Sequence, residues 1–453
     1  MNDFTSGNAA RQILMFSLPM LIGNMFQQLY SMVDAIVVGR FVGGTALASV
    51  GVAMNVLQFL LAVLIGLTTG ASVVIAQYYG AKQYDNLERA VSTSILFLAV
   101  FSVVITAVGI FCAPAILRAL NTSADILDDA RLYLRVLMAG IIFPIFFNMY
   151  TAYLRALGDS RSPLYFLIIS TVLNTGLDLL LVVRFGLGVF GVAIATIIAQ
   201  AVAAVLCYIY TRRTVPLLTV KGFVYDRRMF GAILRYGTPA ALQLSLVSLA
   251  NLTITRLINS FGSVAMAGVT AAVKFDQLAT LPISNFSMAL STFVGQNMGA
   301  GLIERVRRGF RSSVLYMVAL AICLSLIVRL LGPHLLALFL NREDVNTLEI
   351  MGIGLRYLNV ISAFYFLFSL LFSFNGFFRG VGDGVVAMIF PVSSLVIRTL
   401  SAYALVWWGG MGPEALAWSI PIGWGLSSLA SWLYYLTGRW TGKAVTKAAE
   451  PAG

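Results

Sequence analysis

The sequence predicts an all-α integral membrane protein made of two pseudo-symmetric six-helix halves. Three observations predict it. Of 453 residues, 59% are hydrophobic and 11% charged, against roughly 25% charge in soluble domains. The apolar residues form twelve runs long enough to cross a bilayer as helices. The chain also repeats itself. Ala76–Ala81 (AQYYGA) returns 219 residues later as Gly295–Ala300 (GQNMGA). Arg155, Gly158 and Asp159 return as Arg379, Gly382 and Asp383 at an offset of 224, and Pro19 returns as Pro239 at 220.

The twelve runs cover 13–38, 46–77, 91–113, 132–155, 163–184, 189–211, 231–260, 265–297, 312–332, 355–378, 385–408 and 415–437, six in each half. The second and eighth are long enough to tilt or to extend beyond the hydrocarbon. A β-barrel is disfavoured because the runs are continuously apolar rather than alternating. The first run carries Asn24, Gln27, Gln28 and Asp34, so it reads as a retained helix and not a cleavable signal. Domain bounds follow: an N-terminal lobe at 1–215, a connector at 216–230 and a C-terminal lobe at 231–453. Pro216, Lys221 and Gly222 mark the connector, and Arg227 to Arg235 leads into the seventh helix as an amphipathic segment. Two acidic stretches, 118–131 and 341–349, read as solvated outer loops.

With the N-terminus inside, nineteen Lys and Arg fall on the inner side and eight on the outer. That excess places both termini in the cytoplasm and the chain in the cytoplasmic membrane. It also accounts for the net charge of +12 without nucleic acid, since basic loops set topology and touch anionic headgroups. Cys112, Cys207 and Cys323 sit singly in apolar runs and give neither a disulfide framework nor a metal spacing. His334 reads as an interfacial residue. No HExxH, GxSxG or Walker loop occurs, and no large soluble segment, so an enzyme is not expected and no cofactor is implied.

The chemistry is expected in polar groups that cannot leave the membrane. Gln27, Ser31 and Asp34 share one face of the first helix. Asp178 lies in the fifth helix with Asn174 one turn before it, and the sixth supplies Thr196 and Gln200. If these helices adjoin, two carboxylates, an amide and a hydroxyl share a pocket suited to a proton or a monovalent cation such as Na⁺. Two close carboxylates cannot both stay ionised cheaply, so one is suited to carry a proton. The repeat maps Asp34 to Ile254, Asn174 to Arg398, Asp178 to Ala402 and Thr196 to Ser419, so a coupling site belongs to the N-terminal half. The C-terminal half offers a secondary polar site at Lys274, Asp276 and Arg398, in which Asp276 pairs with Arg256, Arg398 or Lys274 or takes part in a second relay. Internal repeats of this kind mark many transporter folds, with the substrate path between the halves.

These landmarks also resemble a known family. Pro19, Gln27, Gln28, Asp34 and Gly39, the runs Ala46–Gly51 (ALASVG) and Gly66–Lys82, the RALGD turn, Asn174-x-x-x-Asp178, Gly191–Ala195, Ser291–Ala300 and Arg379–Asp383 together are similar to the multidrug and toxic compound extrusion (MATE) family over nearly the whole chain. The resemblance implies an antiporter whose two lobes form a V around a central cavity. It carries cation coupling to Asp34, Asn174, Asp178 and Thr196. Some branches place acids in the seventh and tenth helices; here those helices offer only Gln243, Asn251, Asn359 and Asn375.

Small organic substrates are expected to meet a cavity drawn from Gln27, Tyr30, Met54, Phe147, Tyr150, Gln277, Phe368 and Phe372, because aromatic faces attract flat organic cations. The expected action is alternating access by a monomer in the bilayer, with H⁺ or Na⁺ binding at Asp34 and Asp178 and the first helix bending near Pro19 and Gly23. The alternative is a lipid-linked precursor flippase of the same superfamily, for which Arg256, Lys274 and Arg398 speak.

Overall fold

Helices stand at every predicted span in a computed structural model, which describes residues 3–119, 122–219, 222, 224–337 and 347–445, without the side chains of Ser248, Asn251 and Leu252. No strand occurs among the described residues. In order they are α1 (Ala9–Val37), α2 (Gly44–Gly80), α3 (Tyr84–Ala119), α4 (Ala124–Ala139), α5 (Ile142–Ala156), α6 (Arg161–Asp178), α7 (Gly188–Thr214), α8 (Arg227–Asn259), α9 (Ser263–Gly299), α10 (Ile303–Ala337), α11 (Thr347–Ala363), α12 (Tyr365–Val381), α13 (Gly384–Trp407) and α14 (Glu414–Leu436). Seven helices are long and apolar enough to cross a membrane, and two bent pairs raise the number to nine. The chain is therefore a multi-pass membrane protein. The other three predicted spans, α1, α8 and α14, are helical but more polar, through Asn24, Gln27, Gln28 and Asp34 in α1 and through arginines and amides in α8.

Two predicted helices are not single rods. The fourth is α4 and α5, bent by 51°, and the tenth is α11 and α12, bent by 53°. In the first, Pro144 lies in the opening turn of α5 and has no N–H to offer Gly140. In the second, the chain turns at Phe364, whose N–H bonds Ile361 in a tight turn. Gly140 and Phe364 are 224 residues apart, so the bend belongs to the repeat. The stretch 118–131, read as a loop, is largely the start of α4, with Asp125 in its first turn where the helix dipole favours an acid. Lys221, Arg342, Glu343, Asp344 and Lys447 lie outside the described residues.

The duplicated motifs have duplicated geometry. After α5, Gly158 takes φ +86°, and after α12, Gly382 takes φ +92°, the left-handed conformation glycine adopts cheaply at a helix end. The following acid ties the turn to a later helix. Tyr210 donates its hydroxyl to Asp159 Oδ2 at 3.2 Å, and Tyr434 donates to Asp383 Oδ2 at 2.7 Å. The AQYYGA and GQNMGA copies both close a helix with a left-handed residue, Lys82 at φ 58° and Gly301 at φ 73°.

The chain forms two compact units. One is built on Leu18–Ala241, the other on Phe4–Ser17 together with Leu242 onward. The halves thus exchange the starts of their first helices: Ala9–Ser17 of α1 belongs to the second unit and Arg227–Ala241 of α8 to the first, with Pro19 and Pro239 beside the two changes. In the first unit, α2 meets the start of α8 so closely that a Cβ on Gly66 would lie 2.2 Å from the Ala241 nitrogen. The core of the second unit is aromatic, with Phe310, Phe377, Tyr435 and Trp440 joined by a chain of ring contacts.

Candidate functional site

The first unit brings Asp34, Asn174 and Asp178 together. Asp34 lies near the end of α1, and Asn174 and Asp178 occupy successive turns of α6. Asn174 and Asp178 are wholly buried and Asp34 nearly so. With its amide oriented as its neighbours require, Asn174 Nδ2 donates to Asp34 Oδ1 at 2.9 Å and to Asp178 Oδ2 at 3.2 Å. The two carboxyls face each other within hydrogen-bonding range. Asp34 Oδ2 and Asp178 Oδ1 have no protein donor. No ion pair among the described residues involves either acid. Thr196 joins through a neighbour: Tyr30, one turn before Asp34, donates to Thr196 Oγ1 at 3.2 Å.

Both acid-bearing helices change pitch just past the site. Val38–Val42 after α1 and Leu179–Arg184 after α6 are π-helical, a form that recurs at functional sites.

Sequence reasoning missed Tyr133 of α4. Its fully buried phenol faces Asp34 and Asp178, and its oxygen has no partner. The signal was present, because Tyr133 and Tyr357 stand 224 apart, and Tyr357 faces Asp276 and Arg398 in the second unit.

Two buried carboxyls with no cation between them need a neutralising partner. A proton shared by Asp34 and Asp178 leaves the Asn174 amide as it stands. A sodium ion on the same residues needs the amide oxygen turned inward. The donor set accommodates either; the amide orientation suits the proton.

The secondary polar residues are arranged differently. Asp276 accepts the Tyr365 hydroxyl at 2.8 Å, and among the described residues no cation lies within ion-pair distance of it. Its partner is thus a phenol, not Arg256, Arg398 or Lys274. Arg398 is half-buried, with its Nε lacking a partner, and Lys274 is exposed. Of the expected cavity residues, Gln27, Tyr30, Met54, Phe147 and Tyr150 belong to the first unit, and Gln277, Phe368 and Phe372 to the second. Gln27 and Gln277 are exposed, while Phe147 and Tyr150 are buried. Phe368 and Phe372 are half-buried with ring centroids 4.2 Å apart, and Trp424 lies against Phe368.

The family model MatE matches twice, over residues 19–180 and 239–404. The two matches open 220 residues apart, as do Pro19 and Pro239. The chain belongs to the MatE family. This is a family of membrane transporters and not of enzymes. Among relatives of this MatE chain, the probable multidrug resistance protein YpnP of Bacillus subtilis is 28% identical, covering 97% of each chain. The probable multidrug resistance protein NorM of Thermotoga maritima is 28% identical, covering 96% of this chain and 94% of its own. A crystal structure of MATE in complex with MaL6 matches with a TM-score of 0.90 at 24% identity, over 96% of this chain and 97% of that one, which establishes the fold.

Proposed function

We propose that this MatE-family chain is a secondary active multidrug antiporter that couples proton influx to export of organic, cationic, amphipathic compounds by alternating access. The observation that carries the reading is the buried Asp34–Asn174–Asp178 cluster, two facing carboxyls bridged by one amide and lacking a cation. Similarity to relatives named as multidrug resistance proteins supports the substrate class, and the half-buried Phe368–Phe372 pair beside Trp424 is a surface suited to flat cations. Protonation removes a charge from the pair, and the helices that carry it no longer need the same arrangement. The gradient does work because the two conformations hold that proton with different affinity. The basic-residue excess supports a cytoplasmic membrane location with both termini inside. The chain is taken to act as a monomer.

The test is dye efflux from proteoliposomes under an imposed pH or Na⁺ gradient. Wild type extrudes dye under the pH gradient, and Asp34→Asn and Asp178→Asn do not. Efflux that follows the Na⁺ gradient alone overturns the proton assignment. Full efflux in both variants overturns the site, and lipid movement without dye efflux favours a flippase.

A further inference from the structure

The GQNMGA copy in the second unit does more than close α9. The segment ahead of α1 lies on it. Phe4 is fully buried, edge-on to Phe16 at 5.1 Å and 6.1 Å from Phe293. Its backbone N–H donates to Gln296 Oε1 at 3.1 Å, and its carbonyl accepts Asn297 Nδ2 at 3.0 Å. Arg305, in the first turn of α10, completes the grip. Its Nε donates to the Phe4 carbonyl at 2.9 Å, its Nη1 to Gly7 O at 2.7 Å, and its Nη2 to Ser6 O at 2.7 Å and Gln12 Oε1 at 2.9 Å. The guanidinium also lies 5.5 Å from the Phe293 ring centre.

We propose that Phe293, Gln296, Asn297 and Arg305 form a peptide-binding site in the second unit. Its ligand is an extended backbone carrying one aromatic side chain, here this chain's own residues 4–7. Two features mark a recognition site and not incidental packing. A single side chain satisfies three backbone carbonyls with a planar fork, a match that lysine cannot reproduce. The aromatic anchor is wholly desolvated, as in binding hot spots. Beside the segment, a cavity of about 850 Å³ is lined by Gly7, Asn8 and Arg308 among others, so the site is open to a peptide from outside.

The consequence is mechanical. The bound segment runs directly into α1, whose first turns, Ala9–Ser17, belong to the second unit, while Asp34 on the same helix belongs to the first. Arg305 is thereby a positioning residue for transport: it fixes the near end of the helix whose far end carries the coupling acid. This role rests on the reading of Asp34 given above.

The test uses the full chain, a variant lacking residues 1–7, and a labelled peptide of residues 3–8. The shortened variant is expected to bind the peptide, a peptide with the Phe4→Ala change to bind about tenfold more weakly, and the shortened Arg305→Ala variant not at all. In proteoliposomes, removal of the segment or Arg305→Ala slows gradient-driven efflux about tenfold, with equilibrium dye affinity unchanged. Saturating peptide restores efflux in the shortened variant but not in Arg305→Ala. If shortening prevents folding, Phe4→Ala and Arg305→Lys in the full chain replace it, with the same loss of rate at unchanged dye affinity. Absence of peptide binding, or wild-type efflux without the segment or the guanidinium, overturns the proposal. Peptide binding with efflux that ignores the proton gradient and Asp34→Asn keeps the peptide site and overturns only the antiporter reading.

Discussion

The two halves share a scaffold and differ in the buried charge it holds. Both have the bent helix pair, the left-handed glycine followed by an acid, and the tyrosine that locks that acid. Where the N-terminal half has Asp34, Asn174 and Asp178, the C-terminal half has Ile254, Arg398 and Ala402. Ile254 and Ala402 are buried, so the mirrored site is apolar apart from a fixed guanidinium. The π-helical segments follow the same division: they succeed α1 and α6, whereas α8 and α13 remain α-helical through the equivalent stretches down to Asn259 and Trp407. Duplication preserved what builds the helices and released what binds charge. The half that kept the acids is the half able to respond to a cation.

The largest effect should come from making the working half resemble the silent one. Asn174→Arg places a permanent cation between Asp34 and Asp178. A proton then has no uncompensated carboxylate to neutralise, and proton-driven dye efflux should fall by about a hundredfold or more, roughly the 3 kcal/mol at stake when one member of a buried charged set is changed. The protein should still fold, because a guanidinium facing two buried carboxylates is better compensated than the pair alone; a melt at or above wild type checks this. Efflux at the wild-type rate breaks the proposed asymmetry outright.

Asp276 poses the reverse comparison. Its single bond to Tyr365 makes it a structural acid here, not a second coupling site. Asp276→Asn is expected to lower efflux less than about fivefold while leaving its dependence on the proton gradient intact, and Tyr365→Phe to cost about 1–2 kcal/mol of stability by leaving a buried acceptor unpaired. An Asp276→Asn protein that binds dye but no longer responds to the gradient would assign coupling to both halves.

Packing gives a third contrast. α12 meets α9 through Gly376 and Gly380, where a Cβ would lie 2.3 Å from the Ser287 carbonyl oxygen and 2.4 Å from that of Ser291. The repeat equivalents in α5 are Ala152 and Ala156. Gly376→Ala should therefore destabilise by about 2–3 kcal/mol through forced separation of two backbones, while Ala152→Gly should cost only about 1 kcal/mol through helix propensity. Thermal unfolding in detergent with a bound dye as reporter measures both.

Much of this was legible in one sequence because the chain is written twice. Hydropathy gave the spans, and the offset of 219–224 gave equivalent residues, so the loss of Asp34 and Asp178 from the second copy could be read directly. Helical spacing put Asn174 and Asp178 on one face, and the structure adds that Asn174 bridges both acids. Three features were not legible. The bend at Phe364 has no proline or glycine to announce it. Tyr133 approaches the acids from a segment whose acidic start reads as a loop. The docking of Phe4 on Arg305 joins residues 301 apart in sequence, with nothing in periodicity or composition to link them.

The smallest effect is the most symmetrical test. The helix ends at Lys82 and Gly301 have the same hydrogen bonds: Lys82 N–H to Tyr79 O and Gln83 N–H to Tyr78 O in one copy, Gly301 N–H to Met298 O and Leu302 N–H to Asn297 O in the other. This is the Schellman arrangement, and it requires a positive φ at the residue just past the helix. Glycine reaches that conformation freely, whereas for a lysine the Cβ costs about 1 kcal/mol. Lys82→Gly should therefore stabilise the protein by about 0.5 kcal/mol, after the extra freedom of glycine in the unfolded chain is subtracted. Gly301→Lys should destabilise it by about 1 kcal/mol, since open space surrounds that position and only backbone strain acts. Opposite signs in paired melting curves would show that the two turns are one design carrying different residues. Equal signs would mean that the basic side chain at Lys82, and not its backbone, decides the stability of that end.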